Sequence, residues 1–298
     1  MILVDPPVWP AHGTTFSHLV SDESLAELHA FARAAGIPER AFDHDHYDVP
    51  ARMHSELVAR GAMPVPASQL IRRLLASGLR VRTPERTPKR IHALTTLARS
   101  WQALMPEHES LGAELVERWM QDHRHYHDVR HLHQVLVSLD RLEQATPDAR
   151  VDARAVRLAA WFHDAVYDGR PDDEEQSAQL AADQLGPLLP AAEVEEVVRL
   201  VLLTEGHDPH PDDVAVAHLV DADLSILGTH PGRYDVYVRD VRLDFEHVDD
   251  AQWRVGRVQV LDHLMGLDPL FRTELGRTEW APRARTNLAA ERARWLAG

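Results

Sequence analysis

Imidazoles and carboxylates are the side chains with which proteins hold a divalent cation that activates water. This sequence carries them in three separated groups: His127 and His131 after Tyr126, then His163-Asp164, then Asp221-Ala222-Asp223. On a helix, the spacing of His127 and His131 puts both on one face, one turn apart. His133 is offset from that face, and His123 and His125 read as solvated surface. His163 and Asp164 close the most apolar helix expected in the chain. An ionised carboxylate there needs a partner or a metal, and the partial negative charge of a helix C-terminus favours a cation. The same pair also suits a C-cap histidine and a turn-forming aspartate before Tyr167-Asp168-Gly169. Asp221 and Asp223 lie about 200° apart around a helix and do not readily share an ion. One reads as a ligand and the other as a supporting or capping group.

Composition limits the chemistry. With 298 residues, 44% hydrophobic and 27% charged, the chain fits a soluble protein of one large or two ordinary domains. A formal net charge of −15 argues against general nucleic-acid binding. It leaves room for a small nucleotide or sugar phosphate held by a metal and a few arginines. No apolar run reaches membrane-spanning length, so no membrane partner is expected. Cysteine is absent, which excludes disulfides and thiolate metal sites and fits a cytoplasmic protein, as does a start without a signal-peptide pattern. The composition admits a homo-oligomer.

The elements that must position these groups fall into two domains. Residues 1–82 predict a small α/β domain. Ile2-Leu3-Val4 reads as a strand, and a helix capped at Ser21 or Asp22 runs through Leu25, Leu28 and Phe31 to Gly36. Arg40 to Asp43 is strand-like, a second helix begins at Ser68, and Leu79 to Arg82 reads as a last strand. This domain has its own polar cluster, His12, His18 and Asp22 with Asp43, His44, Asp45, His46 and Asp48. It reads either as a second metal or substrate site or as polar residues exposed on loops. Residues 83–89 are a charged, proline-bearing linker. Residues 90–298 predict an irregular all-α domain, with helices near 91–104, 110–120, 128–143, from Asp152, 174–185, 191–203, 212–227, 231–245, 251–264 and 282–296.

Further residues carry resemblances. The stretches His12-Gly13, His18 to Asp22 and Asp45 to Pro50 resemble a small uncharacterised bacterial domain family, to which no activity is attached. In the helical domain the order H, HD, D resembles the HD superfamily of metal-dependent phosphohydrolases. Arg124-His125-Tyr126-His127-Asp128-Val129-Arg130-His131 is similar to its R-x-Y-H-N-x-x-H segment, and Trp161 to Tyr167 to its HD segment. Asp173-Glu174-Glu175-Gln176-Ser177-Ala178 is similar to its N-E-x-x-S-A pattern. Thr204 with His207, Asp221 to Gly228, and Ala284 to Leu288 complete the likeness, which spans roughly Ser110 to Glu291. Asp128 and Asp173 stand where the family has asparagines, which adds negative charge at both positions.

The resemblance implies that His131, His163, Asp164 and Asp223 are metal ligands. It favours His131 over His127 because an aliphatic residue, Val135, follows four positions on, and Asp223 over Asp221 because it follows an alanine and precedes a leucine-rich turn. Two histidines and two carboxylates suit Mn2+, Fe2+, Co2+ or Zn2+ better than Mg2+, which stays open. The implied activity is hydrolysis of a phosphate ester by metal-activated water, on a nucleotide or another small phosphorylated metabolite. Asp164 with Glu174, Glu175 and His207 are the expected catalytic groups, and Arg124, Arg130 and His127 the expected substrate-binding ones. Two other outcomes stay open: a non-catalytic metal- or nucleotide-binding regulatory module, and a di-iron oxygenase with Glu174, His207 and His127 at a second iron.

Overall fold

The computed structural model describes residues 1–145, 148, 151–207 and 210–297, and a small α/β region is followed by a helical one. Two units form, Met1–Arg86 with His230–Arg239, and Thr87–Thr229 with Asp240–Gly298. The boundary after Arg86 falls in the charged stretch 83–89. The inclusion of 230–239 in the first unit is not anticipated by a linear division. Gly232 explains how this segment packs: a Cβ there would lie 1.8 Å from the carbonyl oxygen of His44, so only glycine allows the approach.

In the first unit, β1 (Ile2–Val4), β2 (Trp9–Ala11), β3 (Thr14–Ser21), β4 (Phe42–Asp43), β5 (His46–Pro50) and β6 (Met63–Pro64) form one sheet ordered β4-β5-β3-β1-β6, with β2 also on β3. Only β1 and β6 run parallel among the paired strands described. Alternation gives each face its own core. Ile2, Val4, Leu19, Tyr47 and Val49 join α1 (Leu25–Ala34), α2 (His54–Ala59) and Val236 on one side, while Leu3 and Val20 meet Val65, Leu70 and Leu74 at α3 (Ala67–Ala76) on the other. The cap of α1 is Ser24, not Ser21 or Asp22: its hydroxyl accepts from the Glu27 N–H at 3.1 Å, the capping-box spacing. Leu79 to Arg82 is not a strand. The Val81 N–H donates to the Asp45 carboxylate at 2.7 Å, so it is not available to a ladder.

Every regular element of the second unit among its described residues is helical, and its α-helices include α4 (Arg90–Leu104), α5 (Glu109–Trp119), α6 (Val129–Ala145), α7 (Ala153–Phe162), α8 (Asp173–Leu185), α9 (Ala191–Leu202), α10 (Val214–Asp223), α12 (Asp250–Gly266) and α13 (Ala281–Ala297). Between them α11 (Pro231–Asp244) begins in the first unit and ends in the second. Asp152 caps α7 by accepting from the N–H groups of Arg154 and Ala155. From Leu158 to Phe162 every side chain of α7 is buried, as its all-round apolar sequence requires. It packs against α6, α9 and α10, and α10 also packs on α6. Residues 212–227, expected as one helix, divide into α10 and a 3-10 turn, Leu224–Gly228, so that Asp223 is the last α-helical residue.

Candidate functional site

Three ends of helices meet in the second unit. His131 lies in the first turn of α6, His163 and Asp164 follow the last residue of α7, and Asp223 closes α10. His131 Nε2 is 3.2 Å from His163 Nε2, 3.1 Å from Asp223 Oδ1 and 3.7 Å from Asp164 Oδ2. His163 Nε2 is 3.3 Å from Asp164 Oδ2 and 3.7 Å from Asp223 Oδ1. The imidazoles are buried and the carboxylates are partly accessible, so the group opens on its acidic side. Two of the three ends are C-termini, whose partial negative charge adds to that of the acids. Asp221 is not part of this group. Its buried carboxylate accepts from the N–H groups of Arg272 (2.9 Å) and Thr273 (2.7 Å) and from the Thr273 hydroxyl (2.6 Å). Burial raises its pKa above the ordinary carboxylate value.

The residues around this group hold its backbone. Arg124 is fully buried, and its guanidinium donates to the carbonyls of Asp164 (2.7 Å), Ala165 (3.2 Å) and His127 (3.2 Å). It lies against the rings of Trp119 and Tyr167. Arg124, expected to bind substrate, thus has its guanidinium on the carbonyls of the turn after α7. Arg130, expected to bind substrate too, directs Nε to Asp128 and a terminal nitrogen to the His125 carbonyl. Ser177 accepts from the Val166 N–H at 3.0 Å and donates to the Val166 carbonyl, tying α8 to the same turn. Asp173 accepts from the N–H groups of Asp168 and Arg170, while its buried Oδ1 has no hydrogen-bond partner among the described residues. Asp128 pairs with Arg90 and Arg130. Asn287 donates to the carbonyls of Leu227 and Thr229 and so holds the turn after Asp223.

His127 precedes α6 instead of lying on it, so the one-turn relation to His131 fails, although the rings meet at 5.5 Å. Its Nδ1 is 2.8 Å from Asp244 Oδ2, and its ring stacks on Tyr167. The Asp244 carboxylate also accepts from the N–H groups of His125, Tyr126 and His127. Burial raises the Asp244 pKa, but His127 and these amides outweigh it and hold the carboxyl below its usual range. Sequence reasoning missed Asp244; it stands 117 residues from His127 and belongs to no motif. His207, at φ 50°, brings Nε2 to 2.9 Å from Asp223 Oδ2. Glu174 is half-buried and Glu175 exposed. Burial and then the charges of Asp164, Glu205 and Asp173 raise the Glu174 pKa.

The geometry can be tested against a cation. Donors about 2.1 Å from a common ion lie about 3.0 Å apart at right angles and about 3.4 Å apart at the tetrahedral angle. Three separations, 3.1, 3.2 and 3.3 Å, fall within that range, and two, at 3.7 Å, lie above it. The Nδ1 of His163 faces the Ala160 carbonyl at 2.9 Å, so it carries a proton and, in the neutral ring, leaves a lone pair on Nε2. His131, His163 and Asp164 lie within metal-ligand reach of one another, Asp223 approaches both imidazoles, and carboxylates so close to two rings need positive charge beside them. Without an ion, that charge is a proton: burial opposes it, but Asp164 and Asp223 raise His163 to about 9. Burial lowers the His131 pKa, against the charge of Asp223.

Residues 2–77 match a family described as a protein of unknown function (DUF4031). The match stays within the first unit and does not reach the helices that carry His131, His163, Asp164 and Asp223. No curated protein matches the chain, and no solved structure does. No helix among the described residues is long and apolar enough to cross a membrane.

Proposed function

We propose that the helical unit is a metal-dependent phosphohydrolase of the HD type, acting in the cytoplasm on a nucleotide or another small phosphorylated metabolite. The observation that carries this reading is that Asp164 Oδ2 and Asp223 Oδ1 each lie 3.1–3.7 Å from both His131 Nε2 and His163 Nε2, which are 3.2 Å apart. These four residues would hold a divalent cation, with Mn2+, Fe2+, Co2+ or Zn2+ favoured over Mg2+ by the two nitrogens. When bound, such an ion supplies an acidified water and neutralises phosphate charge.

The chain's own groups divide the remaining work. Glu174, half-buried with a raised pKa, accepts the proton of the attacking water. His207 holds the second oxygen of Asp223 and so fixes which oxygen faces the imidazoles. Arg124, Ser177 and Asp173 keep the turn after α7 rigid, which is what positioning of a nucleophile demands. Support also comes from the motifs: each segment resembling the superfamily has a defined task around this one group.

The test is phosphate release from a panel of nucleotides and sugar phosphates with added Mn2+ or Co2+. Release by the wild type and its loss in Asp164→Ala support the reading. Metal retention without release from any ester would favour the regulatory module, and two irons per chain would favour the oxygenase.

A further inference from the structure

The first unit holds a second group of the same residue types, on its sheet. In the antiparallel β3–β5 pair His18 stands opposite Asp48, and His46 lies two residues before Asp48, so all three share one face. Asp48 Oδ1 is 3.6 Å from His46 Nε2 and 3.9 Å from His18 Nε2, and the two rings meet edge to face at 5.0 Å. Each ring is held from behind by a buried carboxylate. His18 Nδ1 is 2.9 Å from Asp5 Oδ2, and His46 Nδ1 is 2.8 Å from Asp45 Oδ1. An ionised carboxylate only accepts, so the proton sits on each Nδ1, and the lone pair of a neutral ring sits on Nε2, facing Asp48.

Both supporting acids are themselves fixed. Asp5 accepts from the His18 N–H at 2.6 Å and from Trp9 Nε1 at 3.1 Å. Asp45 accepts from the Val81 N–H at 2.7 Å and from Arg80 at 3.2 Å. A cross-strand His–Asp pair made for sheet stability needs one carboxylate. Here two more are buried to set the tautomer and direction of two imidazoles, which is how metal-binding histidines are oriented. The face opens on a cleft of about 640 Å³ whose walls include Ile71 and Leu74 of α3.

We propose that His18 Nε2, His46 Nε2 and the Asp48 carboxylate bind a zinc-class divalent cation (Zn2+, Co2+ or Ni2+), with a coordination position open to the cleft for water or a small anion. Two nitrogens and one oxygen suit these ions, and three protein ligands leave such a position. The separations of 3.6 and 3.9 Å exceed the tetrahedral value, so ligation requires the Asp48 side chain, 48% exposed, to move toward the two rings.

The test uses the full-length chain carrying Asp164→Ala and Asp223→Ala together, which leaves the helical group only its two histidines. After chelator treatment it is dialysed against micromolar ZnCl2, and bound zinc is counted by mass spectrometry, with circular dichroism as the check on folding. Retention of one equivalent is expected, and adding Asp48→Asn or His18→Gln should weaken binding at least tenfold with the fold intact. Should His18→Gln not fold, Asp48→Asn decides, because Asp48 is half-exposed. No retained zinc in the Asp164→Ala/Asp223→Ala chain, or retention unchanged by adding Asp48→Asn, overturns the proposal. Either result is independent of whether the wild type releases phosphate, so this site and the proposed hydrolase can fail separately.

Discussion

His18 and His46 on the sheet are aimed by carboxylates behind their rings, whereas at the helix ends His163 is aimed by the Ala160 carbonyl and the buried Nδ1 of His131 has no partner among the described residues. The sheet places its three groups by register, through a cross-strand pair and an i,i+2 neighbour. The helical group instead depends on three chain ends meeting, which ladder hydrogen bonds alone do not fix. A helix end leaves backbone groups unpaired, and the second unit uses side chains to secure them: Arg124 on the carbonyls after α7, Ser177 on Val166, Asn287 on the turn after Asp223 and Asp244 on the amides before α6. A sheet can thus present a site with few outside supports, while a site at helix ends needs a scaffold of buried polar groups.

The strongest way to break this contrast is Asp223→Ala. If the helical group is a catalytic metal centre, phosphate release should fall on the order of 10³-fold, as measured by initial rates, while zinc retained at the sheet stays unchanged. Arg124→Lys tests the scaffold. A lysine cannot span the three carbonyls with a planar fork, and a loss of about 2–3 kcal/mol is expected from the denaturant midpoint of the helical unit.

Asp244→Asn should cost about 1–3 kcal/mol, since an amide retains one acceptor oxygen where the carboxylate has two. The pH dependence follows in sign. The Asp244 carboxyl is depressed in the folded chain. Its contribution is therefore fully present above the ordinary carboxylate pKa of about 3.9 and is lost as pH falls through the depressed value. Urea midpoints of wild type and Asp244→Asn should converge toward that acid limit. The smallest effect is expected for Asp173→Asn. Both hydrogen bonds run to Oδ2, and the unpartnered Oδ1 gains nothing from its charge. Stability within about 1 kcal/mol of wild type, or slightly above it, is predicted from the thermal midpoint.

Much of this was legible in the sequence. Apolar periodicity located the long helices of the second unit to within a few residues, because each buries a stripe that the spacing reveals, whereas the six-residue α2 was not anticipated. The order His131, His163-Asp164, Asp223 marked the residues that the structure brings together. The strands His18 and His46 stand on were harder to read. Leu19, Tyr47 and Val49 alternate with His18, His46 and Asp48, but the polar partners made the stretches resemble loops. What the sequence hid were the long-range acceptors. Asp244 and Asp221 act on backbone amides far along the chain, and neither spacing nor residue type reports which amides a buried carboxylate will meet.

The most direct test of the helical centre is metal add-back on the chelator-treated full-length chain, scored by phosphate release from its best ester. Activity lost on stripping, restored by Mn2+ or Co2+ in the wild type and never restored in Asp164→Ala is the predicted result. Equal release by both proteins, or release by the stripped wild type at its original rate, would contradict a metal-dependent hydrolase built on His131, His163, Asp164 and Asp223.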